Sequence, residues 1–356
     1  MKIKVGLLDS DATYLKRMTI AFTSRFPDKV EVYSFTKPDI AIEEANDRNL
    51  DVFLFSTEYQ IDTSKLPPKC GFAYLVDAQD VDRIDDIMTV SKYQKAELIY
   101  KKILSIYSEK ANNISKTLLS EKGHTKITYF TSVSGGCGTT TVASATAKRL
   151  AKYGRKVLYL NLEDIPSTDV FFQGEGEETM SDIIYALKSK KMNLGLKIES
   201  CLRHDEHGVN FFAASRIALD VCELSNENII SLIKEIQLSD NFDNVIIDGK
   251  FSLGKEKYMI LDDCADCVFV CDGSQTSIAK FNNAYKCMEI MDNQYGGNVV
   301  DKISIIYNRF SSNVKVANTI ENENIRTIGG IGRIEGAETK ELVEQIMEKT
   351  FLDQLM

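Results

Sequence analysis

The stretch Tyr129-Phe-Thr-Ser-Val-Ser-Gly-Gly-Cys-Gly-Thr-Thr-Thr-Val142 decides how the chain is read. An apolar run gives way to Gly135, Gly136 and Gly138, and a helix-forming pattern follows. Glycines let successive backbone N–H groups turn inward around a phosphate, and the start of the next helix adds its partial positive charge. A hydroxyl at the end of such a loop, here Thr140, can ligate magnesium held by the same phosphates. Residues 134–141 therefore read as a phosphate cradle between a strand and a helix.

Downstream of the loop, apolar strand candidates recur at 156–161, 209–212, 245–247, 267–271, 302–307 and 325–329, with helical patterns between most of them. The strand leading into the loop is expected at 127–132. Upstream, the run 3–8 ends in Asp9-Ser-Asp11, and a helical pattern continues to about residue 25. Strands at 30–35 and 52–55 follow, with a helix near 40–46 between them. Strand, helix, strand at this spacing implies parallel pairing. Further strands at 72–76 and 87–90 are separated by only about ten residues, too few for a full crossover helix. The pattern 93–107 closes this part as a helix with Ile99, Ile103 and Ile106 on one face. The polar stretch 108–125 reads as a linker. The expectation is an α/β chain of two doubly wound parallel-sheet domains, 1–107 and 126–356.

The 356 residues are 44% hydrophobic and 27% charged, a composition able to form cores. Lys and Arg number 43 against 52 Asp and Glu, a formal charge of −9 that opposes binding to phosphate backbones and anionic lipid. No window reaches the ~18 apolar residues of a membrane span. A soluble cytoplasmic protein is expected, with neither nucleic-acid binding nor direct membrane insertion. Cys264 and Cys267 form a C-x₂-C without a second ligand pair, and with Cys271 they read as core residues rather than a zinc site. Residues 338–356 read as an amphipathic helix with Val343, Met347, Phe351 and Leu355 on one face and mostly acids elsewhere. Such a face suits a core or dimer contact better than lipid.

The loop resembles the deviant Walker A motif of ParA/MinD-type P-loop ATPases, K-G-G-x-G-K-T-[TS], and the likeness extends over 126–356. Ser134 stands in place of the signature lysine and Thr139 in place of the phosphate lysine. The resemblance implies ATP and Mg²⁺ as cofactors, held by Gly135, Gly136, Cys137, Gly138, Thr139, Thr140 and Thr141. Asp248, ending Asn244-Val-Ile-Ile-Asp248, resembles Walker B, implying a magnesium contact through water beside Thr140. Glu163 matches the second acid of the family's D-x-D strand, where Asn161 replaces the first, and is the catalytic candidate. Asn308 and Arg309 match the strand end that reads adenine. A charged hydrogen bond contributes about 1.5–3 kcal/mol, so losing the phosphate lysine weakens nucleotide roughly ten- to a hundredfold. The cross-subunit signature lysine does work comparable to an arginine finger, worth ~10³–10⁵ in rate. At most a weak ATPase is expected, with Lys250, Arg216 and Arg309 as candidate substitutes for the missing cation.

Residues 1–107 resemble the receiver domains of response regulators. Asp9 and Asp11 stand where receivers keep their metal-binding acids, and Lys92 resembles the lysine after the fifth strand. The third strand ends in Ser56, not the phosphate-accepting aspartate, so this is expected to be a degenerate receiver used for protein contacts. A receiver joined to such an ATPase resembles the TadZ/CpaE family of tight-adherence (Flp) pilus proteins. That resemblance implies an ATP-stabilised homodimer recruiting other pilus assembly proteins through the receiver-like domain, concentrated at a cell pole. The alternative is an active ParA/MinD-like ATPase that cycles to position cargo.

Overall fold

The first apolar run forms β1 (Ile3–Leu8), paired in parallel with β2 (Val30–Phe35) on one side and β3 (Val52–Ser56) on the other. Parallel neighbours need crossovers, supplied by α1 (Ala12–Arg25) and α2 (Pro38–Asp47). Asp11 caps α1, its carboxylate accepting from the Thr13 and Tyr14 amides. β4 (Gly71–Val76), β5 (Arg83–Ile84) and β6 (Ile87–Ser91) complete a sheet of order β2-β1-β3-β4-β6-β5. The sheet is not wholly parallel. β5 runs antiparallel to β6, because the short connection permits a hairpin, with Asp85 at φ +47°, where it denies room for a helix. α3 (Ala96–Lys110) packs with α1 on one face, burying Leu15, Phe22, Ile99 and Ile103 against Val5 and Leu54. The other face buries Phe53 and Phe55 against Ala41 and Ala45 of α2.

This computed structural model describes residues 2–78, 81, 83–85, 87–110, 125–189, 193–310, 320, 322 and 324–356. Most of the expected linker, 111–124, lies outside the described residues.

The second sheet has the order β14-β13-β12-β7-β11-β8-β10-β9. The phosphate loop leaves β7 (Lys126–Thr131) and enters α4 (Thr139–Lys152), which is followed by β8 (Val157–Asn161), α5 (Thr168–Phe171), α6 (Met180–Ser189) and α7 (Leu194–Cys201). β9 (Arg203–His204) and β10 (Asn210–Phe211) form an antiparallel hairpin at the edge, which the parallel expectation missed. Next come α8 (Leu219–Cys222), α9 (Asn226–Leu238), β11 (Asn244–Asp248), α10 (Lys255–Asp262), β12 (Asp266–Cys271) and α11 (Gln275–Tyr295). β13 (Ile303–Phe310), β14 (Arg326–Gly332) and α12 (Thr339–Met347) end the unit, with a 3₁₀ turn at Thr350–Leu355 in place of a longer helix. Val343, Met347 and Leu355 are buried in one core with Val142, Ala143 and Leu150 of α4. Cys264, Cys267 and Cys271 are also buried, and burial pushes the Cys264 and Cys271 thiols up to about 12, as expected of packing residues.

The chain divides into two compact units. One comprises Met1–Thr117 with Tyr185–Cys201, the other Leu118–Ile184 with Leu202–Met356. A sequence division at 126 does not foresee the second segment of the first unit. There α7 lies on α3: Lys197 Nζ donates to Ser105 Oγ (2.9 Å), the Asn193 amide to the Ser108 carbonyl (3.1 Å), and Tyr100 to Glu199 (3.3 Å).

Candidate nucleotide site and the acid pocket of the first unit

The loop after β7 is shaped by contacts within the chain. Ser132 Oγ clips it, accepting from the Ser134 amide (3.1 Å) and donating to the Ser134 carbonyl (2.9 Å). Cys137 turns its side chain into the core and is 1% exposed. Asn308 Nδ2, from the end of β13, donates to the Cys137 carbonyl at 2.8 Å. Gly138 begins α4 at φ +80°, and a Cβ there would stand 2.4 Å from Asn308 Nδ2. Only glycine fits both conditions. At Gly135 and Gly136, by contrast, a Cβ would meet nothing within 4 Å among the described residues, so the loop is exposed there.

Asp248 closes the site from β11, which pairs with β7 and β8; the register sets Asp248 beside Asn161. It is 1% exposed. Its Oδ2 accepts from Tyr159 Oη (2.8 Å) and Asn161 Nδ2 (3.3 Å), whereas Oδ1 has no hydrogen-bond partner among the described residues. Burial and then the Glu163 charge push its pKa up to about 7, and the Tyr159 and Thr140 hydroxyls pull it back in part. Thr140 Oγ1 reaches Glu163 Oε2 at 3.4 Å, and the Glu163 amide donates to Asn161 Oδ1 at 2.9 Å. An orphaned buried carboxylate oxygen beside a hydroxyl, under a helix N-terminus and an open glycine loop, fits a cation and its phosphates.

The expected residues thus converge, with two refinements. Asn308 is committed through its amide to the loop carbonyl, while Arg309 is exposed at φ +56°. Ser134 Oγ is buried and has no hydrogen-bond partner among the described residues. Lys250 is ion-paired with Asp164, and Arg216 lies 3.6 Å from Asp182. Thr139 and Thr141 are half-buried on the first turn of α4. Tyr159 is not foreseen from the sequence; its position two residues before Asn161, hence on the same face of β8, is the signal that could have pointed to it.

In the first unit, Asp9 ends β1 and is 1% exposed; its Oδ1 accepts from the Asp11 amide at 2.9 Å. Lys92, directly after β6, places Nζ 2.7 Å from Asp9 Oδ2 and 3.3 Å from Asp77 Oδ1. These carboxylates raise its pKa against the opposing pull of burial. Ser56 ends β3, is 1% exposed, and its Oγ accepts from the Glu58 amide at 3.3 Å.

Residues 1–108 match the family model of the TadZ-like receiver domain. Among solved structures, a ParA family ATPase from Chlorobium tepidum is 17% identical with a TM-score of 0.51, over 65% of this chain and 98% of that one. The MinC:MinD cell division complex from Aquifex aeolicus contains a chain 19% identical with a TM-score of 0.51, over 65% of this chain and 96% of that one. At these identities the likeness concerns the fold, and the second unit has the ParA/MinD fold. The chain matches no curated protein. Among the described residues, no helix is long and apolar enough to cross a membrane.

Proposed function

We propose that this chain, a TadZ-like receiver domain joined to a unit of ParA/MinD fold, is an ATP-binding, dimerising scaffold for assembly of a tight-adherence pilus. One observation carries the reading: Asp248 Oδ1 is buried without a hydrogen-bond partner among the described residues, near a glycine loop that is shaped without either lysine. Thr140 and Asp248 would hold magnesium, the aspartate through water, and the amides of 135–141 the phosphates. The metal would supply the positive charge that Ser134 and Thr139 do not. The retained groups bind and orient; the missing lysines are those that speed hydrolysis.

Nucleotide that binds the dimer better than the monomer shifts association by that difference alone, without hydrolysis. A coupling of about 1–3 kcal/mol tightens dimerisation roughly five- to 150-fold. The first unit serves as a contact module for other pilus assembly proteins. Ser56 cannot form an acyl phosphate, and Lys92 is already held by Asp9 and Asp77. Concentration of the protein at a cell pole would follow from such contacts.

Sedimentation velocity without nucleotide, with Mg-ADP and with Mg-ATP, alongside a turnover assay, tests the reading. Tighter association with Mg-ATP and slow turnover are expected. An equal monomer–dimer constant in all three conditions, or turnover as fast as that of lysine-bearing enzymes, overturns it. Thr140→Ala should weaken Mg-ATP binding in calorimetry, and acetyl phosphate should leave residues 1–108 unmodified.

A further inference from the structure

Well along α4 from the phosphate loop, Lys148 lies on the wall of a cavity of about 280 Å³. The helical rise puts it about 13 Å beyond Thr139, so this cavity is separate from the nucleotide site. Its walls come from α4, α5, the turn between β9 and β10, and α12. The volume is near the lower end for small-molecule sites.

Two buried charges face each other there, and they are unequally satisfied. Asp205 Oδ1 accepts from the amides of Val209 (2.8 Å) and His207 (3.0 Å), and Oδ2 faces His207 Nδ1 at 3.3 Å. Lys148, only 5% exposed, lies 3.7 Å from Asp205 Oδ2, beyond hydrogen-bond reach, and 5.3 Å from the centroid of the Phe172 ring. Among the described residues its ammonium donates no hydrogen bond, although it carries three protons. Burial pushes its pKa down by more than the Asp205 charge restores. At the exposed rim Glu206 and Lys340 neutralise each other at 3.1 Å. The local feature is thus an ammonium ion-paired with Asp205 but without a hydrogen-bond acceptor among the described residues, facing the cavity beside the apolar side chains of Val170, Phe171 and Val343.

We propose that this cavity binds a small organic carboxylate, whose charged end accepts from Lys148 and whose apolar part packs on Val170, Phe171 and Val343. The anion is singly charged. Lys148 supplies a single positive charge and Asp205 beside it disfavours a second negative one, and a purely inorganic ion such as phosphate leaves the apolar wall uncovered.

The test uses the full chain with valine methyl groups labelled and saturating Mg-ATP present. Acetate, hexanoate and benzoate are titrated at constant ionic strength, with hexanol, benzyl alcohol and inorganic phosphate as controls. Hexanoate or benzoate should shift the Val170 and Val343 signals saturably, at least about tenfold more tightly than its alcohol or phosphate. Lys148→Met keeps most of the stem, removes the charge, and should weaken that binding about ten- to a hundredfold. The proposal is overturned if no carboxylate shifts these signals, if acid and alcohol bind alike, if phosphate binds better, or if Lys148→Met binds as well as the parent. Should that variant not fold, the comparison of acid with alcohol on the parent decides alone.

Discussion

In the first unit the residue that ends β3 is Ser56, while the lysine after β6 remains; in the second both loop lysines are gone, while the aspartate ending β11 remains. Lys92 therefore finds carboxylates already waiting, Asp9 at 2.7 Å and Asp77 at 3.3 Å, and the pocket neutralises itself. Asp248 accepts hydrogen bonds on Oδ2, whereas Oδ1 accepts none among the described residues. The pocket of Ser56 and Lys92 is thus balanced within the chain, whereas the buried Asp248 has no ion-pair partner among the described residues. A degenerate sequence motif does not by itself say whether a site still needs a ligand; the sign of the charge left over does.

The largest effect that would break this contrast is expected in the first unit. Lys92→Met strands the Asp9 carboxylate, which is 1% exposed, and should cost about 3–5 kcal/mol, read as a lower unfolding midpoint. Adding Asp9→Asn should recover most of it; a single variant as stable as the parent removes the claim of self-neutralisation.

Asp248→Asn should act in the opposite direction. An acid whose native pKa is raised from 3.8 to about 7 holds its proton more tightly folded than unfolded. Without nucleotide, stability should therefore fall as pH rises from about 4 to about 7 and level off above. The asparagine variant should flatten that slope and gain about 2–4 kcal/mol above pH 7 while losing Mg-ATP affinity. Unfolding followed against pH checks both signs.

Gly138→Ala should cost about 2–3 kcal/mol, from the left-handed backbone and displacement of Asn308, with nucleotide binding reduced alongside. Asn308→Ala removes one hydrogen bond to the Cys137 carbonyl, about 1 kcal/mol, and should lower Mg-ATP affinity several-fold by loosening the loop. If it leaves calorimetric affinity unchanged, the loop owes its shape to Ser132 and the buried Cys137 alone.

Much of this was legible in the sequence where chemistry is local. Glycine spacing placed the loop, and single residues at strand ends marked Asp9, Ser56, Glu163 and Asp248, because a parallel sheet gathers its strand ends at one edge. Partnerships were less legible. That Lys92 meets Asp9 depends on how β1, β4 and β6 align, and that Asn308 spends its amide on Cys137 depends on β13 ending beside the loop. The edge hairpins were missed or blurred because two-residue strands such as β5 and β9 carry no periodicity. The placement of α7 was invisible for a different reason: its apolar pattern fits any face, and nothing in it names α3.

That placement sets a timetable for synthesis. The first unit is interrupted in the chain, so α3 emerges from the ribosome with Ile99, Ile103 and Leu104 made but its neighbour α7 not yet translated. Roughly ninety residues separate the end of α3 from the end of α7, about 5–18 s at bacterial or slower elongation rates. During that interval the nascent receiver is an unfinished product, and the phosphate loop, β7 and α4 are made inside it. A chain cut after α3 therefore yields the first unit without α7, leaving the α3 face that α7 covers exposed to water.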